Sequence, residues 1–181
     1  MRPVDASSLR MTIPLADEKA TAALARELSA RVQTGDVIAL FGNLGAGKTS
    51  FARAFITALP RPGETGIEET TAEAAAPEEV PSPTFTLVQL YERTPASVWH
   101  FDLYRLEQPE DAYELGIEEA FAEGISLIEW PERLGGLLPA SRLELSLNFG
   151  SSPDSRIAEL TAYGAWRDRL GDLSPPKGAN R

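Results

Sequence analysis

The eight residues Gly42-Asn43-Leu44-Gly45-Ala46-Gly47-Lys48-Thr49 constrain this chain more than any other stretch. They fit the pattern GxxxxGK followed by Ser or Thr, a loop that cradles phosphate when it joins a strand to a helix. The flanks supply both. Residues 37–41 are five consecutive apolar side chains ending at Gly42, which reads as a buried strand, and residues 50–59 continue from the loop as a helix.

Glycines let the backbone curl so that successive N–H groups and the helix N-terminus face an anion, where the helix dipole also favours negative charge. In that frame the nucleotide is held by Asn43, Leu44, Gly45, Ala46, Gly47, Lys48, Thr49 and Ser50. Lys48 reaches the β- and γ-phosphates, and Thr49 offers its hydroxyl to Mg²⁺. Guanine specificity in GTPases usually comes with an Asn-Lys-x-Asp segment; the sequence has none, which favours ATP.

At 181 residues and 43% hydrophobic content the chain fits one domain with a real core. We expect an α/β fold: a single P-loop NTPase-like domain over 1–171, its mixed, mostly parallel sheet flanked by helices and carrying antiparallel hairpins. No apolar run approaches the roughly 20 residues of a spanning helix and the first ten residues lack the apolar core of a signal peptide, so the expected location is the cytoplasm. Zero cysteines exclude disulfides and thiolate metal sites, and a single histidine, His100, excludes a histidine-rich one. Net charge is −10, half of it from residues 61–80, and the acidic remainder argues against gripping nucleic acid by its phosphates.

Residues 17–32 place Ala20, Leu24, Leu28 and Val32 on one helical face, with Asp17 as N-cap. Residues 60–81, rich in Glu, Ala, Pro and Thr without apolar period, read as a disordered acidic insertion. Residues 85–91 and 98–102 read as two strands paired antiparallel across a short turn. Pro109-Glu110-Asp111 opens a helical segment toward Phe121 with a break at Gly116. Residues 125–129 form a short buried strand, 143–149 and 157–163 a half-buried hairpin, and 172–181 a frayed tail.

A P-loop ATPase also needs a carboxylate near the magnesium, and open α/β sheets bind ligands at the carboxyl ends of their strands. Asp102 and Glu129 both end apolar strands. One could hold the metal and the other orient or deprotonate the attacking water; spacing alone does not assign them.

Four segments together, the P-loop, Ser82-Pro83-Thr84-Phe85-Thr86-Leu87, His100-Phe101-Asp102-Leu103-Tyr104-Arg105-Leu106 and Ile128-Glu129-Trp130-Pro131-Glu132-Arg133-Leu134, resemble the TsaE family in order and spacing from about residue 17 to about 149. These are small bacterial ATPases that serve threonylcarbamoyladenosine (t6A) modification of tRNA. The resemblance implies that Lys48 binds phosphate and serves catalysis, Thr49 and Glu129 hold Mg²⁺, and Asp102 serves hydrolysis. It further implies that 82–86, with Thr84, form a loop sensing the γ-phosphate, and that Trp130 lies near the nucleotide. Tyr104 and Arg105 are expected to meet nucleotide or partner, and His100 to be a sheet residue and not a base. The implied partners are the TsaB and TsaD proteins, with tRNA reached only through that complex, and TsaD transferring the threonylcarbamoyl group to adenosine 37.

Two departures stand out. Asn43 occupies a position that is usually acidic in the family, and the segment 60–81 is longer than usual. Two other functions compete: a small P-loop kinase, for which no arginine-rich lid is present, and a binding module whose nucleotide state sets partner affinity.

Overall fold

A computed structural model describes residues 8–64, 80–171 and 173. The strands in chain order are β1 (Leu9–Leu15), β2 (Val37–Phe41), β3 (Val88–Tyr91), β4 (Val98–Asp102), β5 (Ile125–Glu129), β6 (Arg142–Phe149) and β7 (Arg156–Tyr163). The helices are α1 (Glu18–Ser29), α2 (Lys48–Ala58), α3 (Ile117–Glu123) and α4 (Trp166–Gly171), with 3₁₀ segments at Pro109–Leu115 and Pro131–Leu137. All seven strands share one sheet in the order β1-β7-β6-β2-β5-β4-β3. The four middle strands, β6, β2, β5 and β4, run parallel, and antiparallel partners close both sides.

This architecture follows from the apolar patterns. The runs of β2 and β5 are buried at nearly every position because both faces of the sheet are covered. On one face, Ile38 and Leu40 pack with Leu24 and Leu28 of α1 and Phe51 and Phe55 of α2. Each fully buried apolar side chain there contributes roughly 1.5–3 kcal/mol over an exposed one. On the other face, Val37, Phe101 and Ile128 meet Leu103, Leu106, Ile117 and Leu134. In β6 the expected alternation holds: Leu143, Leu145 and Leu147 are buried while their neighbours are part-exposed. Asp17 caps α1, its carboxylate accepting from the Ala20 N–H at 2.8 Å.

Differences from the sequence reading have local causes. The strand expected over 85–91 begins only at Val88. Leu87 has φ +62° and its N–H donates to Pro83 O at 2.7 Å, so a hydrogen-bonded turn overrides the β propensity of Phe85 and Thr86. The segment after Pro109 does break at Gly116, which takes φ +79°, but its first part is 3₁₀. Neither β1 nor α4 was anticipated. Strand β1 alternates Leu9, Met11, Ile13 and Leu15 and pairs with β7 at the sheet edge, the one place where its Pro14 costs no ladder bond. Of the expected insertion, residues 65–79 lie outside the described part; Val80 is buried and its carbonyl accepts from Arg53 Nε at 2.9 Å. The expected tail 172–181 lies outside it too, except Leu173, which is buried. Among the described residues no helix is long and apolar enough to cross a membrane.

Candidate active site

The loop 42–49 leaves the carboxyl end of β2 and enters α2 directly. Its first glycine is required twice over. Gly42 has φ +137°, and a Cβ there would lie 2.5 Å from Leu147 O and 3.1 Å from Ala46 Cβ. Gly47, at φ +105°, is the α2 N-cap and has no side chain to bond the first-turn N–H groups. Those groups and the dipole they terminate remain directed out of the helix end. Within the loop the Ala46 N–H closes a turn on Asn43 O at 3.1 Å.

Lys48 is only 5% exposed. Its Nζ donates to Gly42 O at 2.6 Å and Asn43 O at 3.1 Å, and lies 4.0 Å from the Trp130 ring centroid. Burial holds its pKa below the usual lysine value, an effect opposed by the carboxylates of Glu129, Glu132 and Asp102. Trp130 reaches this position from a left-handed backbone, φ +59° and ψ +49°. That conformation costs a non-glycine residue about 1–2 kcal/mol and turns the chain sharply after β5. The Tyr104 ring tilts against the Trp130 ring at 4.9 Å.

Thr49 Oγ1 lies 2.9 Å from Glu129 Oε1 and 3.0 Å from Oε2. Glu129 is 2% exposed, and its Oε1 also meets His100 Nε2 at 2.9 Å. An ionised carboxylate only accepts, so it is Nε2 that carries the hydrogen. His100 is thus a buried sheet residue that also touches the carboxylate, a contact the sequence reading did not anticipate. On the adjacent strand Asp102 stands opposite Glu129 in the parallel register. Asp102 Oδ2 accepts from Thr84 Oγ1 at 3.1 Å and Ser82 Oγ at 3.4 Å, and Oδ1 from the Tyr104 N–H at 3.2 Å.

A cavity of about 380 Å³ brings together Leu44, Gly45, Gly47, Lys48, Thr49, Ser50, Thr84, Asp102, Glu129 and Trp130, with Ser82 and Tyr104 completing the wall. Two sequence candidates stand apart from it. Asn43 is exposed and turns its carbonyl to Lys48, while Ala46 is buried behind the loop and borders a second cavity of about 450 Å³. Arg105 also lies off the cavity wall, its guanidinium 4.8 Å from the Phe85 ring. Arg156, unremarked in the sequence, bonds the carbonyls of Gly45 and Ala46 and borders the second cavity. No local pattern marks it, because the contact spans 110 residues.

Comparison with known proteins gives a consistent picture. Residues 15–157 match the family model described as threonylcarbamoyl adenosine biosynthesis protein TsaE. The tRNA threonylcarbamoyladenosine biosynthesis protein TsaE of Rickettsia bellii is 35% identical over 147 residues, 81% of this chain and 92% of that protein. The protein of the same name from Bacillus subtilis is 34% identical over 145 residues, 80% of each. The crystal structure of Bacillus subtilis YdiB superposes with a TM-score of 0.69 at 27% identity, covering 92% of this chain and 95% of that one. The family match, residues 15–157, spans the P-loop, both strand-end carboxylates and strand β6 with the turn after it, and with it this chain belongs to the TsaE family of t6A biosynthesis.

Proposed function

We propose that this chain is an ATPase that binds ATP with Mg²⁺ in the P-loop cavity and hydrolyses it to support TsaB and TsaD, in the cytoplasm, during N6-threonylcarbamoylation of tRNA adenosine 37. The observation that carries the proposal is the convergence, in one cavity, of a glycine loop, a buried lysine, a Thr49–Glu129 pair and a second carboxylate held by Thr84.

The donor set suits magnesium. That ion keeps several waters and commonly takes one or two protein oxygens plus phosphate oxygens. Thr49 Oγ1 and Glu129, already within 3.0 Å of each other at the cavity wall, are the groups that would hold it. When bound, the ion would supply positive charge that offsets the negative charge of the phosphate oxygens. The residues of the chain do the rest. Loop N–H groups and the α2 N-terminus hold the phosphates, and Lys48 exchanges its bonds to Gly42 O and Asn43 O for phosphate oxygens. Burial strengthens that attraction, since the charge is poorly solvated. Asp102 is fixed by the Tyr104 N–H and is an acceptor able to orient a water toward the γ-phosphate. Thr84 couples the loop 82–87 to that acceptor. The acidic net charge fits a protein partner better than direct tRNA binding.

The test is phosphate release from ATP by wild type and Lys48→Ala, each with and without purified TsaB and TsaD. The expected result is hydrolysis stimulated by the partners and lost in the variant. Hydrolysis indifferent to the partners would refute the pathway part, and hydrolysis surviving Lys48→Ala would refute the site.

A further inference from the structure

The β6–β7 hairpin packs against the P-loop at two points: the Leu147 carbonyl beside Gly42, and Arg156, which lines with Gly45, Ala46 and Gly47 the second cavity of about 450 Å³. Arg156 Nε donates to Ala46 O at 3.0 Å and Nη2 to Gly45 O at 3.3 Å. Nη1 is anchored on Pro153 O at 2.7 Å and Ser155 O at 2.8 Å, and the guanidinium lies 4.8 Å from the Phe149 ring centroid. Among the described residues all these bonds go to backbone carbonyls, and no carboxylate pairs with the charge.

We propose that Arg156 is the positioning residue of the P-loop, setting the peptide planes at 45–46 and 46–47 so that the loop's donors face a nucleotide phosphate. The inference rests on the nucleotide reading of the cavity. A trans peptide is planar with its N–H and C=O pointing opposite ways, so fixing a carbonyl fixes the hydrogen on its far side. Holding Ala46 O therefore fixes the Gly47 N–H on the side of that peptide away from Arg156, and Gly47 is a residue that lines the P-loop cavity. Holding Gly45 O keeps the Ala46 N–H in its turn with Asn43 O. The clamp matters because Lys48 holds only the carbonyls of Gly42 and Asn43, while Gly45 and Gly47 carry no side chain, Leu44 is 83% exposed, and glycine loses the most freedom on ordering. Arginine suits the position, since its planar fork addresses two loop carbonyls and two hairpin carbonyls at once, where lysine offers a single point of donation.

The test is the affinity for the fluorescent nucleotide mant-ADP and the kinetics of ATP hydrolysis for wild type, Arg156→Gln, Arg156→Lys and Lys48→Ala. Expected for Arg156→Gln is weakening of at least about tenfold, and for Arg156→Lys a smaller loss of about threefold, with the deficit falling on KM more than on kcat. Affinity within about twofold of wild type in both Arg156 variants would overturn the proposal. So would a fall in kcat at unchanged KM, the signature of a merely smaller folded fraction. If Arg156→Gln does not fold, Arg156→Lys alone decides. Lys48→Ala separates the two readings: if it binds mant-ADP like wild type, the phosphate site itself is wrong, whereas loss there with intact binding in the Arg156 variants refutes only the clamp.

Discussion

Replacing Gly42 by alanine adds one methyl group at the tightest point of the loop, and the cost can be worked from its surroundings. The new Cβ would sit 2.5 Å from Leu147 O, a backbone atom, where ordinary contact begins at 3.4 Å. A backbone at φ +137° adds strain of about 1–3 kcal/mol for a residue with a side chain. Overpacking against a carbonyl adds a comparable amount, about 1–3 kcal/mol. The sum, about 2–6 kcal/mol, is a large part of the roughly 5–15 kcal/mol that stabilises a domain. Relief has two routes. Either β2 and β6 part where Phe41 pairs with Ser146, which lowers stability, or the loop swings away from Leu147, which spoils the phosphate cradle. If only about 2 kcal/mol is shifted onto binding, nucleotide affinity falls about thirtyfold. Urea denaturation and mant-ADP titration on the same variant read the two routes together, and the losses should trade against each other. A Gly42→Ala protein within about 0.5 kcal/mol of wild-type stability and with unchanged affinity would refute the steric argument.

Two further outcomes are expected. His100→Leu removes the donor that His100 gives to the buried Glu129, and should destabilise the fold by about 2 kcal/mol in urea denaturation, with His100→Gln losing less; a leucine variant as stable as wild type would remove the bond from the account. Because burial lowers the Lys48 pKa, the folded state binds fewer protons than the unfolded chain between the lowered value and the ordinary 10.5. The penalty for burying the charge is present below that window and relieved as pH rises through it, so nucleotide-free wild type should gain stability relative to Lys48→Met on going alkaline. A stability difference that stays flat across that range would contradict the burial argument.

Much of the site was legible because its parts carry local signatures. The P-loop is contiguous, and Asp102 and Glu129 each end a run apolar enough to mark a buried strand. What was not legible depends on strand order. His100 meets Glu129 only because β4 lies beside β5, and Arg156 meets Gly45 and Ala46 only because β7 follows β6 next to β2. Residues 85–87 misled for a different reason. Their β propensity is real, but the hydroxyls of Ser82 and Thr84 and the Leu87 N–H have nearer partners in Asp102 and Pro83. Strand β1 did alternate as a strand should, and its signal is weak only because Pro14 interrupts it.

The pairing of Asp102 with Glu129 across β4 and β5 makes the sheet a ruler for the two acids. Neighbouring strands stand about 4.8 Å apart, and a slip of one residue moves a side chain by about 3.3 Å and throws it to the opposite face. The separation of the acids can therefore take only stepped values, and a one-residue slip of either strand would also turn its own Phe101 or Ile128 out of the core they share. The interval between the two carboxylates is thus set by the same packing of Phe101 and Ile128 that fixes the register of β4 on β5, and not by the loops that surround the cavity.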